Sequence, residues 1–185
     1  MTSQPPVRER ILDTAAALFY LEGIRAVSAD RIIAETGTTK VTFYRHFRTK
    51  EDLVVAYLQA QSVRTRAAAA TLSADPCTGL LQQAEIMGAE TCVPGFRGCP
   101  FINAAAEYPD AGSPVRAVVR DHREWLHAEV SGRLAQLGAA DPDRVADQLL
   151  MLRDGAMVHG YVADSASVSA SLISAGRAIV GTLGH

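Results

Sequence analysis

The stretch from Val27 to Leu53 constrains this chain most, because it has the pattern of two short helices joined by a tight turn. Ser28 can cap the first helix, since its hydroxyl oxygen can accept a backbone N–H that the helix leaves unpaired. The apolar run 32–34 predicts the buried side of that helix. Gly37 then ends the helix, because glycine readily adopts the left-handed conformation that a sharp turn needs.

The residues after this turn predict a second helix that buries one side and exposes the other. Either Thr38 or Thr39 can cap it. Its apolar residues recur at spacings of three and four, and they are Val41, Phe43, Tyr44 and Phe47. Its exposed side is predicted to carry Lys40, Thr42, Arg45 and part of Tyr44. Two helices, a glycine turn and a second helix rich in Thr, Lys and Arg together predict a helix-turn-helix.

The run TGTTKVTFYRHFRTKEDL resembles the N-terminal signature of the TetR family of bacterial transcriptional regulators, and the resemblance is strong over residues 7–60. The matching positions are Gly37, Thr39, Phe43, Tyr44, His46, Phe47, Thr49, Lys50 and Glu51. Val41 departs from the family pattern, which often has glycine or another small residue there, although a valine can contact a thymine methyl group.

The resemblance implies a double-stranded DNA partner, bound as a palindromic operator. It assigns phosphate contacts to Tyr44 and His46, both of which are hydrogen-bond donors near a basic surface. Lys50 is expected to contact phosphate at the start of the next helix, which Thr49 and Asp52 begin with capping-box spacing. The predicted DNA-binding residues are Ser28, Thr38, Thr39, Lys40, Val41, Thr42, Tyr44, Arg45, His46 and Lys50.

The charge distribution fits this interpretation better than the net charge of −2 does. Residues 1–50 hold eight Lys and Arg against five Asp and Glu, whereas residues 51–185 hold ten against fifteen. A basic head on an acidic body is typical of a DNA-binding protein. We find no transmembrane run, no signal peptide and only three cysteines, so we expect a cytoplasmic protein with no membrane partner.

The chain as a whole predicts an all-α fold of about nine helices, with no alternating strand pattern. A helix over 7–21 would support the helix-turn-helix, and the remaining helices are expected near 49–72, 76–90, 100–108, 114–137, 142–163 and 168–183. We therefore predict a DNA-binding domain over residues 1–48 and a helical-bundle domain for ligand binding and dimerisation over residues 49–185.

Small residues interrupt the last two predicted helices. A glycine inside a helix costs about 1 kcal/mol relative to alanine, so its presence suggests a close backbone neighbour. The resemblance implies that these helices pair with their copies in a homodimer, and packing within one chain is the alternative. The predicted interface residues are Gly155, Ala156, Gly160, Ala163, Ser171, Ala175 and Ala178.

The resemblance implies a ligand cavity in the body, and aromatic and methionine side chains with a few polar groups there fit one as a set, although each residue taken singly fits the core better. The candidates are Met87, Phe96, Phe101, Asn103, Trp125, Met151, Arg153 and His159. The expected effector is a small and largely apolar molecule, with aromatic molecules included.

The sequence offers little support for metal or catalytic chemistry. His122 and His127 lie five apart and do not share a helix face, and no cofactor motif occurs. Cys92 and Cys99 could form a redox-sensing disulfide or be small buried hydrophobic residues, and a Cys99–His122 pair lacks a third partner. We expect a dimeric repressor and no enzyme. The alternatives are a helical small-molecule carrier or enzyme, and an architectural DNA-binding protein without an effector.

Overall fold

The computed structural model of the chain describes residues 5–162 and 167–181, and in these ranges it consists of helices and connecting loops. The helices are α1 (Val7–Glu22), α2 (Ala29–Thr36), α3 (Lys40–His46), α4 (Lys50–Ala69), α5 (Pro76–Thr91), α6 (Pro100–Glu107), α7 (Pro114–Gln136), α8 (Pro142–Val162) and α9 (Val168–Gly181). The prediction of an all-α fold with about nine helices is confirmed. In the described ranges no helix is both long enough and apolar enough to span a bilayer.

The helices begin where local capping groups allow them to begin. The Ser28 hydroxyl accepts the backbone N–H of Arg31 at 3.1 Å and starts α2. Thr49 and Asp52 form the expected capping box, in which each side chain accepts the other's backbone N–H at 3.0 Å. Asp75 caps α5 by accepting the N–H of Thr78 at 2.8 Å. Such contacts involve residues three apart, so they can be read from the sequence alone.

The chain forms two compact units whose bounds differ from the predicted division between residues 48 and 49. The first unit takes in residues up to Arg64 together with Pro100–Val119, and the second takes in Thr65–Cys99 and the residues from Arg120 onward. The first unit thus adds α6, the first part of α7 and most of α4 to the three N-terminal helices.

The core of the first unit is built from one face of α1 and the aromatic residues that pack against it. Ile11, Ala15 and Phe19 lie four apart on α1 and are almost completely buried. The ring of Phe19 lies 5.8 Å from that of Tyr57 on α4. Helix α1 also packs against α2 and α3, so it fixes the position of the helix-turn-helix.

The core of the second unit lies between α7 and α8. Leu126, Val130 and Leu134 form a buried stripe on α7, and they pack against Val145 and Leu150 of α8. Helix α9 packs against both α5 and α8. This arrangement surrounds the cavity described below.

Candidate functional site

The turn before α3 has the geometry that the sequence predicts for a helix-turn-helix. Gly37 adopts the left-handed conformation, with φ 63° and ψ 26°, and ends α2. Thr39 is the residue that caps α3, because its side-chain oxygen accepts the backbone N–H of Thr42 at 3.2 Å. The two threonine hydroxyl groups also lie 3.0 Å apart, so both polar side chains are held at the exposed start of α3.

Helix α3 is anchored by its aromatic residues and leaves its other side to solvent. Phe43 is fully buried and Phe47 nearly so, and their rings lie 6.3 Å apart. Tyr44 rests edge-on against Phe43 at 5.2 Å yet remains 46% exposed. Val41 is 79% exposed, although its spacing from Tyr44 and Phe47 is that of a buried stripe. An exposed valine on such a helix is suited to contact a base edge. On α2, Ile32 and Ile33 are buried as predicted, whereas Ala34, which was also predicted to be buried, is exposed.

Lys40 is exposed at the start of α3 and forms an ion pair with Asp30, with 2.9 Å between Nζ and Oδ1. The hydrogen bond to Asp30 and the carboxylate charge raise the pKa of Lys40 above its ordinary value. Both side chains are about two-thirds exposed, and an exposed pair of this kind adds little to stability. The pair with Asp30 is therefore a weak surface contact, and a role of Lys40 in DNA binding stays a prediction.

Lys50 is the first residue of α4 and is half-buried. Its Nζ lies 5.9 Å from the centre of the Phe19 ring, at the range of a cation–π contact. Burial lowers the pKa of Lys50, and the charge of Glu107 offsets part of this effect. The Lys50 side chain is thus held against Phe19, and a contact of its ammonium group with phosphate stays a prediction.

All ten predicted DNA-binding residues lie in the first unit: at the start of α2, in the turn before α3, along α3 or at the start of α4. Exposed positions are Ser28, Thr39, Lys40, Val41, Tyr44 and Arg45, and half-buried positions are Thr38, Thr42, His46 and Lys50. His46 is the last residue of α3, where a histidine also interacts well with the helix end.

The second unit contains a cavity of about 310 Å³ between α5, α7, α8 and α9. Its wall is mostly aliphatic. Of the eight predicted ligand-binding residues, Met87 and Arg153 lie on this wall. The other six lie elsewhere, with Phe101 and Asn103 in the first unit and Phe96, Trp125, Met151 and His159 in the second.

Trp125 was predicted to line the cavity but lies elsewhere in the second unit. It is half-buried, and the guanidinium carbon of Arg66 lies 4.9 Å from the centre of its ring. The centre of the His122 ring lies 5.5 Å from the centre of the Trp125 ring. Sequence reasoning missed Gly176, Arg177 and all of the leucines on the cavity wall. One signal was available, because Arg177 is the only charged residue of α9.

Arg153 belongs to a charged cluster in the second unit. Its Nη1 lies 2.9 Å from Asp154 Oδ1, while Arg123 Nη1 lies 2.8 Å from Asp154 Oδ2, so two guanidinium groups share one carboxylate. Arg153 Nη2 also lies 3.7 Å from Cys99 Sγ. Burial works against the charged form of Arg153, but Cys99 and Asp154 outweigh it and raise the pKa, so this group stays cationic.

The predicted dimer residues divide into exposed and internally packed positions. Gly155 is exposed, and a side chain built there would meet no atom within 4 Å. Gly160 is instead packed within the chain, because a Cβ there would lie 2.7 Å from Thr91 and 3.0 Å from Phe96. Ala156 is buried, Ala175 is half-buried, Ser171 and Ala178 are exposed, and Ala163 lies outside the described residues.

The described residues contain no group of three or more His, Cys, Asp or Glu placed to hold a metal ion. The three cysteines are free; Cys77 and Cys92 are exposed and Cys99 is buried.

Comparison with known proteins identifies the family. The family model for bacterial regulatory proteins of the tetR family matches residues 11–57. The chain is 27% identical over 140 residues to the HTH-type transcriptional regulator LmrA of Bacillus subtilis, covering 72% of this chain and 74% of that protein.

Solved structures extend the likeness over nearly the whole chain. The crystal structure of SCO4454, a TetR-family transcriptional regulator from Streptomyces coelicolor, is 40% identical, covers 97% of this chain and 96% of that one, and superimposes with a TM-score of 0.92. A TetR transcriptional regulator from Chloroflexus aurantiacus, at 24% identity and a TM-score of 0.80, shares the fold over 95% of this chain and 94% of that one. With its helix-turn-helix and its helical body, this chain belongs to the TetR family of DNA-binding transcriptional regulators.

Proposed function

We propose that this protein is a dimeric repressor that binds a palindromic operator and is released from it by a small, largely apolar effector. The observation that carries the proposal is the exposed side of α3, where Thr39, Lys40, Val41 and Tyr44 face solvent while Phe43 anchors the helix from beneath. Direct readout needs such a rigid helix with donors and an apolar contact on its outer side. A regulator of transcription acts on DNA inside the cell, so we place its action in the cytoplasm.

The exposed sides of α8 and α9 support a dimer. Met151, Gly155, Val158 and Val162 are exposed at spacings of four, three and four, which makes one apolar stripe along α8. Ser171 and Ala178 are exposed on α9 and lie seven residues, about two turns, apart. An exposed apolar stripe on a helix suits a partner surface, and an operator with two half-sites calls for two copies whose α3 helices enter successive major grooves about 34–36 Å apart.

The aliphatic cavity of the second unit supports the effector. Its volume of about 310 Å³ is at the small end of the range for small-molecule sites. Release requires that the effector bind the DNA-free state more tightly than the DNA-bound state, because a ligand with equal affinity for both shifts nothing.

The test is fluorescence anisotropy with labelled duplex DNA from upstream of the chain's own gene, at several salt concentrations. A specific regulator should bind a palindrome in this DNA far more tightly than a scrambled duplex of the same length, and scrambling one half-site should remove most of the affinity. Equal binding to all duplexes would favour an architectural protein instead, and absence of binding would refute the proposal.

A further inference from the structure

The cavity of the second unit combines an aliphatic wall with two arginines. Apart from Gln83, Arg153 and Arg177, its wall is made of apolar and small residues such as Leu80, Leu150 and Leu172. The described residues of the wall include no Asp or Glu. The charge on this wall is therefore positive only.

The two arginines occupy different positions. Arg153 is mostly buried on α8, and it shares Asp154 with Arg123, so the carboxylate is divided between two cations. The carboxyl group of Glu90 on α5 also interacts with Arg153, and burial raises the pKa of Glu90, which works against its charged form.

Arg177 on α9 is exposed, and since it also lines the cavity it lies at the cavity's edge. Within residues 5–162 and 167–181 it forms no ion pair. Its five N–H donors are arranged to hold a carboxylate with two hydrogen bonds.

A second observation is the empty space at Gly176, next to Arg177. Gly176 lines the cavity, and a Cβ at this position would meet no atom within 4 Å. Packing therefore does not require a glycine there, and in a helix interior glycine is about 1 kcal/mol less favourable than alanine. The absence of a side chain at Gly176 instead leaves open volume in the cavity beside Arg177.

We propose that the cavity binds an amphipathic organic anion, with an apolar body against the leucines and a carboxylate held by Arg177 at the edge and steered by the positive field of Arg153. This inference rests on the proposed function for the role of that ligand as effector, and it narrows the effector from apolar molecules in general to apolar acids. A buried apolar body alone would give no selection between an acid and its neutral analogue, whereas a hydrogen bond to a charged group adds selectivity.

The experiment is calorimetric titration of the full chain with hexanoate, octanoate, decanoate and naphthoate, each compared with its primary amide, which matches it in shape without the charge. We expect at least one acid to bind roughly tenfold or more tightly than its amide. Arg177→Gln should bring the acid's affinity down to that of the amide. Gly176→Leu should abolish binding of both, because the new side chain enters the cavity.

Two matched control variants test whether the loss of acid binding is specific to changes in the cavity. Gly132→Leu makes the same change at another glycine with no atom within 4 Å, on α7 away from the cavity, and should leave acid binding intact. Arg144→Gln removes an exposed arginine paired with Asp141 and should also leave it intact. Arg177 is exposed, so its variant tests the charge without endangering the fold.

Three results would overturn the proposal: amides that bind as tightly as their acids, an Arg177→Gln variant that keeps the preference for acids, or a panel in which no acid binds. Operator binding measured on the same preparation shows whether a result refutes the anionic effector or the proposed repressor. A chain that binds its operator but no acid refutes only the anionic effector. A chain that binds acids at Arg177 but no upstream DNA refutes only the repressor.

Discussion

The carboxylate of Glu107, the last residue of α6, accepts the backbone N–H of Ile24 at 2.9 Å. Its second oxygen accepts the N–H of Arg25 at 2.6 Å, so one side chain satisfies two consecutive donors in the loop between α1 and α2. Gly23 precedes this contact with φ 93°, a backbone conformation that residues with a side chain rarely adopt. The loop that precedes the helix-turn-helix is thus fastened to α6 within the first unit.

Glu107→Ala should therefore destabilise the first unit and weaken operator binding. An unpaired backbone donor that stays buried costs about 1–3 kcal/mol, and partial exposure of this loop reduces that figure. Urea unfolding and hydrogen exchange at Ile24 and Arg25 would measure the effect. Glu124→Ala, an exposed glutamate of α7, is the matched control. Unchanged exchange at the two amides would contradict this role for Glu107.

Lys50 and Val41 should have different effects on DNA binding. Lys50→Ala should weaken binding to all duplexes alike and reduce the slope of log affinity against log salt by about one, because one phosphate contact is lost. Val41→Ala should leave that slope unchanged and alter the preference for thymine at one operator position. Anisotropy over a salt series and a set of single-base operator variants would measure both. If Lys50→Ala changed the base preference and Val41→Ala changed the salt slope, both assignments would be wrong.

Dimerisation should depend on the exposed stripe of α8. Val158→Asp and Val162→Asp place charges in a surface that we expect to be desolvated between copies, so light scattering should show a shift from dimer to monomer, together with weaker operator binding. Val63→Asp, at a 67% exposed valine of α4, should change neither. A wild-type chain that is monomeric at micromolar concentration would refute the dimer.

Gly160→Leu should behave differently from these stripe variants. Its side chain would collide with Thr91 inside the same chain, and overpacking of this kind costs roughly 1–3 kcal/mol. We expect a lower melting temperature whether or not the protein is dimeric. A variant that loses the dimer with unchanged melting temperature would place Gly160 at the interface instead.

Stability should fall as the pH decreases from about 6.5 to about 4, because of His122. Burial, together with the charges of Arg153, Arg66 and Arg123, lowers the pKa of this 2% exposed histidine from 6.5 to about 4, and the charge of Asp121 offsets only part of this effect. The folded state therefore favours neutral imidazole, and the unfolded state takes up the proton first as the pH falls. The loss should be on the order of 2–3 kcal/mol, since one pKa unit corresponds to about 1.4 kcal/mol.

Urea unfolding at a series of pH values would measure this loss, and His122→Gln should flatten the curve in that interval. His127→Gln, at a partly exposed histidine that lies 3.4 Å from Asp147, is the control and should keep the wild-type slope. A His122→Gln variant with an unchanged slope would assign the acid sensitivity to other groups.

Several features of this protein follow from the sequence alone because they depend on near neighbours in the chain. Ser28, Gly37 and the Thr49–Asp52 pair act over three or four residues, so the helix-turn-helix and most helix ends are predicted within one or two residues. The spacing of Phe43 and Phe47 likewise identifies the anchored side of α3. These local patterns carry the assignment to the family.

Only the tertiary structure decided what each side of a body helix packs against. The spacing of apolar residues shows which side of a helix is apolar, but it does not show which other helix, cavity or solvent lies next to that side. Helices α8 and α9 have one face toward the cavity and another toward solvent, and both faces are apolar or small in sequence. Gly155 and Gly160 look alike in the sequence, yet the first is open and the second is packed against Thr91. Arg177 joins the cavity wall, whereas Trp125 lies beneath Arg66, because contacts between residues far apart in the chain place them there.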